Sequence, residues 1–385
     1  MYTQTGRMAS VKPSGTLRIA EIANKLKAEG RNIISFTVGE PDFNTPRHII
    51  DAAHRAMLDG FTHYTPAAGI PELREAVANK SINENRLPAT AANVMVSPTK
   101  QAIFSAILAN VEGGNEVVIS NPAWVSYEPA IAIAGGRAVE VPLTGDDFRM
   151  TPESVMEGVT PGTKMIILNS PSNPTGGVAR LEDLKGIADI ATDHDLLVLS
   201  DEIYEKLVFE GEHHSIASLP GMFERTITVN GLSKSYAMTG WRIGWAVAPE
   251  VILRDMIRIQ EHSLTCCTSF AQKGAVAALT GDQSELRNMV SRFAQRRKLV
   301  MDKLSQIDGM HAKPPAGAFY LFPKFDYGMT SRQFTEYLLS EANVAVMPGS
   351  AFGSAGEGHV RMSFATSEAN IETGFDAVAK AVSRL

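Results

Sequence analysis

The chain has only two cysteines among its 385 residues, and the two are adjacent. Neighbouring cysteines such as Cys266 and Cys267 rarely close a structural disulfide, and two thiols alone do not make a zinc site. We therefore expect small buried residues of a protein that works in a reducing compartment.

Long hydrophobic runs and an excess of positive charge are also missing. No apolar stretch reaches the roughly 18 residues of a membrane span, and residues 1–12 lack the apolar core of a signal peptide. The formal net charge is −6, without the basic stripe that nucleic acid requires. These absences predict a cytoplasmic protein that has neither a membrane nor a nucleic-acid partner.

Short apolar runs alternate with amphipathic helical patterns from residue 45 onwards. This alternation predicts an α/β fold, in which helices cover both faces of a mostly parallel sheet. In the first of these helices, Thr45 is expected to be the cap and Pro46 the first-turn proline. After Pro249, long helices followed by short strands predict a smaller α+β unit.

The length of the chain exceeds what one compact core usually holds, so we expect two domains. We predict an N-terminal arm with part of the small domain at 1–44, a large domain at 45–285 and a small C-terminal domain at 286–385.

Two clusters of ionisable residues have a structural interpretation. The basic residues Arg292, Arg296, Arg297 and Lys298 are typical of a solvated helix face. The pair His213-His214 falls in a polar turn that is typical of a surface, and the chain has no His-Glu-x-x-His zinc helix. We therefore predict no metal site.

Polar side chains follow several predicted strands at their carboxyl ends, which is where open parallel sheets bind ligands. They are Asn173 after the strand predicted at 164–168, Asp201 and Tyr204 after that at 196–199, and Lys234 after that at 226–229. Taken singly, a carboxylate there could be a helix cap and a tyrosine a core residue. Taken together, an amide, a carboxylate, a phenol and an amine at one sheet edge predict a site.

Lys234 lies between Ser233 and Arg242 in a run of small residues. This places an amine between a hydroxyl and a second cation, both of which bind anions. The combination suggests an amine held next to a phosphate, as an aldehyde cofactor with a phosphate handle requires.

With these motifs in order, the chain resembles the fold-type I, pyridoxal-phosphate-dependent aminotransferases of class I/II, and more narrowly their bacterial aspartate aminotransferase branch. The resemblance implies a large domain with a seven-stranded sheet, a smaller α+β domain and pyridoxal 5'-phosphate as the cofactor. The runs that carry it are Val38 to Phe43, His63 to Gly69, Asn173 to Gly176, Ser200 to Tyr204, Ser233 to Gly244 and Val360 to Phe364.

The resemblance also implies which side chains contact the cofactor ring. Lys234 would hold the cofactor as a Schiff base and then move a proton between the substrate Cα and the cofactor. Asp201 would pair with the pyridine nitrogen and keep it protonated. Tyr204 and Asn173 would hydrogen-bond the phenolic oxygen, and Trp124 would stack on the ring face.

The phosphate would lie at the start of the helix after the strand 94–96, where free N–H groups and the helix dipole favour an anion. The residues implied there are Thr99, Lys100, Gln101, Ser233 and Arg242, together with Tyr64 contributed by a partner subunit. The resemblance thus implies a homodimer with shared active sites.

The substrate would be an amino acid, whose α-carboxylate Arg361 would bind bidentately with help from Asn173 and the Gly39 backbone. Lys100 matches a branch of the family in which a lysine meets a distal carboxylate. A Lys-Pro-Ser-x-Thr loop of the same branch is matched by Lys12, Pro13, Ser14 and Thr16. This branch implies aspartate or glutamate as donor and 2-oxoglutarate as acceptor, in a ping-pong reaction.

Two departures from that branch leave alternatives open. Ser97-Pro98-Thr99 replaces a pair of glycines, and Ala123 stands where a tyrosine is common. Aromatic or other neutral amino acids are therefore alternative donors. A β-lyase, which has the same cofactor on the same scaffold, is an alternative activity.

Overall fold

A computed structural model describes residues 4–9, 11, 19, 22–23, 25–26 and 28–385. Its largest element is a seven-stranded sheet, and every neighbouring pair of strands is parallel except the two pairs that Gly244–Val247 makes. In sheet order the strands are Val94–Val96, Gly244–Val247, Thr226–Gly231, Leu197–Asp201, Thr163–Asn169, Glu116–Asn121 and Arg137–Pro142. The predicted mostly parallel sheet is confirmed.

Helices cover both faces of this sheet because the inner strands are apolar on both sides. In the strand Thr163–Asn169, Met165 and Ile167 pack in the core beneath one face. Ile166 and Leu168, which alternate with them, pack in the core beneath the other face. The run is continuous rather than alternating in polarity, as expected for a doubly covered parallel strand.

The helices of eight residues or more that follow or flank these strands are Arg47–Leu58, Pro71–Asn85, Thr99–Asn110, Tyr127–Ala134, Leu181–Asp193, Glu250–Glu261, Ser269–Thr280, Ser284–Leu304 and Glu368–Val382. Shorter helices are Gly6–Ala9, Pro152–Gly158 and Ser331–Tyr337. Among the described residues, none of these helices is long and apolar enough to cross a membrane.

A second unit surrounds a separate core that is rich in phenylalanine, including Phe293, Phe319 and Phe334. Its small sheets pair Tyr320–Leu321 and Met347–Pro348 with Val360–Ser363, Met310–His311 with Lys324–Phe325, and Ile34–Ser35 with Val344–Ala345. The strand Ile34–Ser35 therefore belongs to this smaller unit, and the chain enters the large unit at the helix Arg47–Leu58.

The strands next to the predicted site are longer than expected. The strand expected at 196–199 is Leu197–Asp201, and that expected at 226–229 is Thr226–Gly231. Asp201 is therefore the last residue of its strand rather than a loop residue beyond it. The sheet therefore fixes the backbone that carries this carboxylate.

The expectation that Thr45 caps the helix Arg47–Leu58 is wrong. Pro46 occupies the cap position, and no side chain caps this end. The Thr45 hydroxyl instead donates to the Ala237 carbonyl at 2.7 Å and accepts from the Trp241 indole at 3.0 Å. Thr45 thus connects this helix to the loop that carries Lys234.

The expectation of a solvated basic helix face is wrong for Arg296. This side chain is 3% exposed, and its guanidinium binds both carboxylate oxygens of Asp42, at 2.6 and 2.9 Å. A face that alternates exposed and buried arginines cannot be distinguished from a solvated one by composition alone.

Candidate active site

A cavity of about 460 Å³ opens at the carboxyl ends of the central strands and is closed on one side by the smaller unit. Most of the side chains predicted from the sequence line it: Thr99, Lys100, Trp124, Asn173, Asp201, Tyr204, Ser233, Lys234, Arg242 and Arg361, with the backbone of Gly39. Residues that are far apart in sequence therefore share one cavity.

Lys234 projects into this cavity, and its Nζ donates a hydrogen bond to the Gly39 carbonyl at 2.7 Å. Burial lowers the pKa of this ammonium to about 8, although the carboxylate of Glu40 opposes the shift. A lower pKa leaves more of the neutral amine at physiological pH, and only the neutral amine is a nucleophile.

Asp201 is 4% exposed. Its Oδ2 accepts from the Tyr127 hydroxyl at 2.7 Å, and its Oδ1 accepts from the Ile203 amide at 3.3 Å. Burial raises the pKa of Asp201 to about 6, and the Tyr127 hydrogen bond keeps it from rising further. The carboxylate is thus mostly ionised at neutral pH and can face a cationic ring nitrogen.

Tyr127 was not predicted. It begins the helix Tyr127–Ala134 and packs edge-on against Trp124 at 5.2 Å between ring centres. Its position three residues after Trp124 was the only sequence signal. That spacing does not specify a carboxylate partner 74 residues away.

Tyr320 was also not predicted. Its hydroxyl lies 2.7 Å from the Tyr204 hydroxyl, and either can be the donor. Burial raises the pKa of both phenols, so both are neutral at physiological pH. Tyr320 therefore orients the hydroxyl of Tyr204 from the side of the smaller unit.

Arg361 lies between the rings of Tyr320 and Phe352, with its guanidinium carbon 4.6 and 4.8 Å from the ring centres. It donates to Asn173 Oδ1 at 2.9 Å and to the Thr37 carbonyl at 2.6 Å. Its Nε is buried and has no hydrogen-bond partner among the described residues. A buried donor without a partner is costly, so the site fits an anion such as a carboxylate.

The opposite end of the cavity is cationic. The helix Thr99–Asn110 makes its first backbone bond from the Ala102 amide to the Pro98 carbonyl, which leaves its earlier amides available for an anion. Partial burial, reinforced by the charge of Arg242, lowers the pKa of Lys100. The Lys100 ammonium lies 4.8 Å from the centre of the Trp124 ring.

The structure does not bring every predicted residue to the cavity. The Gln101 side chain donates to Ser105 at 3.2 Å, so only its backbone amide can face an anion. Tyr64 is 88% exposed and lies outside the cavity of its own chain. Lys12, Pro13, Ser14 and Thr16 lie outside the described residues.

A buried network of charges lies behind the strand that ends in Asp201. Glu202 accepts from the hydroxyls of Ser200 and Ser215 at 2.9 and 2.6 Å and lies 3.0 Å from His213 Nε2. Glu205 pairs with Lys80, whose positive charge lowers the pKa of this carboxyl to about 2 even though burial favours the protonated form.

His213 is therefore not the surface residue that the sequence suggested, since its side chain is only 11% exposed. Burial lowers the pKa of His213, but the carboxylates of Glu202 and Glu205 outweigh this effect and raise it. The ligand atoms of these three residues lie within 4.8 Å of one another. Because Lys80 already neutralises Glu205, we interpret the cluster as an ion-pair network.

Comparison with known proteins identifies the family. The family described as aminotransferase class I and II matches residues 31–378. An aspartate aminotransferase of Pyrococcus abyssi is 45% identical over 381 residues, 97% of each chain. The aromatic-amino-acid aminotransferase 2 of Thermococcus litoralis is 44% identical over 382 residues, also 97% of each chain.

Solved structures give the same result. The structure of Thermus thermophilus aspartate aminotransferase with maleate superposes on this chain with a TM-score of 0.94 and is 40% identical to it in sequence. The match covers 99% of this chain and 100% of that chain. The fold is therefore that of the fold-type I pyridoxal-phosphate enzymes. The chain belongs to the class I and II aminotransferases, and it is a pyridoxal-phosphate-dependent transaminase.

The residues of the cavity fit that cofactor. A lysine with a lowered pKa, a buried carboxylate and a neutral phenol match an aldehyde, a pyridine nitrogen and a phenolic oxygen. The free amides and cations at the start of the helix Thr99–Asn110 match a phosphate.

We predict that Tyr127→Phe raises the pKa of Asp201, because it removes a hydrogen bond that only the ionised carboxylate fully uses. A loss of about 1 kcal/mol corresponds to slightly less than one pH unit. The measurement is the carboxylic C=O band in infrared difference spectra of the cofactor-free protein, recorded across the pH range. Tyr236→Phe is the control, since that buried hydroxyl bonds Gln283 instead. If Asp201 titrates at the same pH in Tyr127→Phe as in the wild type, the Tyr127 hydroxyl does not stabilise the ionised carboxylate.

Proposed function

We propose that this aminotransferase uses aspartate or glutamate as amino donor and 2-oxoglutarate as acceptor, by ping-pong kinetics. The observation that carries the proposal is the placement of Lys100 and Arg361 in one cavity. Two cations there match the two carboxylates of a dicarboxylic substrate. Names of relatives agree in part, since they include both aspartate and aromatic aminotransferases.

When bound, pyridoxal phosphate supplies an aldehyde that exchanges the amino group and a ring that withdraws electrons from the substrate Cα. Lys234 would hold the cofactor through Nζ, and its free amine would take up and return the proton exchanged at the substrate Cα. Asp201 would keep the ring nitrogen protonated. Tyr204 and Asn173 would hydrogen-bond the phenolic oxygen, and Trp124 would pack on the ring face.

At the cationic end, the residues proposed to hold the phosphate are Thr99, Lys100, Gln101, Ser233 and Arg242. Lys100 and Gln101 would contribute backbone amides, which leaves the Lys100 ammonium for the distal carboxylate, and the hydroxyls of Thr99 and Ser233 and the charge of Arg242 suit a dianion. At the other end, Arg361 binds the α-carboxylate with the donors that Asn173 and the Thr37 carbonyl leave free. Gly39 contributes its backbone, and its lack of a side chain is required because a Cβ would lie 2.0 Å from the Tyr320 hydroxyl.

The first experiment is addition of an amino acid alone to the holoenzyme. We expect the visible band of the lysine-bound cofactor to disappear as the pyridoxamine form accumulates, with release of the matching 2-oxo acid. Release of ammonia and pyruvate without that change would indicate a β-lyase.

Lys234→Ala should lose both the lysine-bound form of the cofactor and turnover, because the amine that holds the cofactor is removed. Retention of both would contradict the role of Lys234.

Lys100→Met should selectively weaken dicarboxylic substrates, because methionine matches the apolar part of the lysine side chain in length and removes the charged group. A charge-assisted hydrogen bond is worth roughly 1.5–3 kcal/mol, so kcat/KM for aspartate should fall roughly ten- to hundredfold. The value for alanine should change much less. Equal losses of kcat/KM for aspartate and alanine would instead indicate that Lys100 binds the phosphate. A gain for tyrosine with no loss for aspartate would indicate an enzyme for neutral donors.

We further propose a homodimer with shared active sites, since the exposed Tyr64 lies outside the cavity of its own chain. A Tyr64→Ala subunit and a Lys234→Ala subunit should each be impaired alone. Refolding them together should restore activity, because one site of the mixed dimer then receives every group. Asp201→Ala mixed with Lys234→Ala is the control that should restore none. No recovery in the first mixture, or a monomeric enzyme, would contradict the shared site.

The domain division at residues 44 and 285 is likewise a proposal. Support comes from the helix Ser284–Leu304, in which Leu286 packs with the core of the large unit while Phe293 and Val300 pack with that of the small one. The helix therefore begins in one unit and continues into the other.

A further inference from the structure

The segment of residues 36–45 crosses from the small unit to the large one over the mouth of the cavity. Its backbone contacts two of the charged side chains that line the cavity. The Thr37 carbonyl accepts from Arg361 at 2.6 Å, and the Gly39 carbonyl accepts from Lys234 at 2.7 Å. We refer to residues 36–45 as the crossing segment.

The crossing segment contains no helix or strand. Phe36 still pairs with the small unit, donating to Ala345 and accepting from Ser363, both at 2.8 Å. Beyond it, the path of the backbone depends on contacts made by side chains. Thr45 makes such a contact at the far end, to the Ala237 carbonyl.

In the middle, Asp42 is bound by Arg296, which projects from the helix Ser284–Leu304. The guanidinium donates to both carboxylate oxygens, at 2.6 and 2.9 Å, and through Nε to Glu368 at 3.2 Å. It also lies 4.9 Å from the centre of the Phe43 ring. A bidentate pair fixes orientation as well as distance.

Arg296 has little freedom of its own. Its side chain is 3% exposed, and its guanidinium lies 5.7 Å from the ring of Phe293, which belongs to the core of the small unit. The rigid core of that unit therefore fixes the position of Asp42, and Asp42 fixes the backbone three residues before it.

We propose that Asp42 and Arg296 are positioning residues for the substrate α-carboxylate site. Their ion pair holds the crossing segment so that Thr37 and Gly39 stay aligned with Arg361. This inference rests on the proposed role of Arg361 in binding the α-carboxylate. Neither Asp42 nor Arg296 lines the cavity, so their effect passes through the backbone.

The test is Asp42→Asn in the holoenzyme. Asparagine keeps the shape but presents an amide instead of the second carboxylate oxygen, so one of the two charge-assisted bonds is lost. We expect KM for the best donor to rise about tenfold, with a smaller change in kcat. The dissociation constant of pyridoxal phosphate should stay within about twofold, because the phosphate end of the cavity is not involved.

Arg292→Gln is the matched control. Arg292 lies one turn earlier on the same helix and donates to the same Glu368 oxygen at 2.8 Å, but its side chain is 49% exposed. We expect its KM to match that of the wild type. Asp42→Glu, which restores the charge on a longer side chain, should recover part of the loss.

The inference is overturned if Asp42→Asn raises KM no more than Arg292→Gln, or if it weakens cofactor binding as strongly as substrate binding. If Asp42→Asn is recovered only as aggregate, Arg296→Lys decides by the same criteria, since lysine keeps the charge without the bidentate contact. Arg361→Lys separates the two proposals. If KM is unchanged in Arg361→Lys, Arg361 does not bind the α-carboxylate and the proposed function is refuted on that point. If KM rises in Arg361→Lys but stays at the wild-type value in Asp42→Asn, only the positioning role of Asp42 and Arg296 is refuted.

Discussion

Desolvated charge at the carboxyl edge of the sheet is the constraint on which the site depends. Burial raises the pKa of Asp201 and lowers those of Lys234 and Arg361, so each ionised form is disfavoured unless a partner compensates. The helix Tyr127–Ala134 places the Tyr127 hydroxyl on the Asp201 carboxylate, and the large unit places Asn173 within reach of the Arg361 guanidinium, which the smaller unit carries. These partners compensate the charges only in part. The charge and hydrogen-bonding groups that are left over can bind a charged cofactor and substrate.

The turn that follows Asp201 carries two charge systems that face in opposite directions. Asp201 and Tyr204 face the cavity, whereas Glu202 and Glu205 face away from it and pair with His213 and Lys80. Buried ion pairs are weak evidence for net stability, but breaking one leaves an uncompensated charge and is strongly unfavourable. The pairs of Glu202 with His213 and of Glu205 with Lys80 therefore oppose rotation of the turn, which keeps the side chains of Asp201 and Tyr204 directed into the cavity.

The apolar periodicity of the strands was sufficient to predict the sheet, and the strand-end residues and ordered motifs predicted most of the cavity lining. Periodicity carries only local information, however. The bonds of Tyr204 with Tyr320 and of Arg296 with Asp42 span 116 and 254 residues. Nothing in the neighbourhood of Arg296 separates it from its exposed neighbours, because its burial depends on a partner that the fold delivers from the other end of the chain.

The two ends of the cavity treat a substrate differently. Arg361 is enclosed by two rings, and in its proposed role it would bind any α-carboxylate and would not discriminate among amino acids. Lys100 is partly exposed and lies beside both Arg242 and the Trp124 ring. A distal carboxylate would relieve the repulsion from Arg242, whereas an aromatic side chain would desolvate the ammonium further unless the lysine turned toward solvent. In the proposed role of Lys100, discrimination among donors would therefore depend on this one partly exposed side chain, and such a site would favour a dicarboxylate without strictly excluding an aromatic donor.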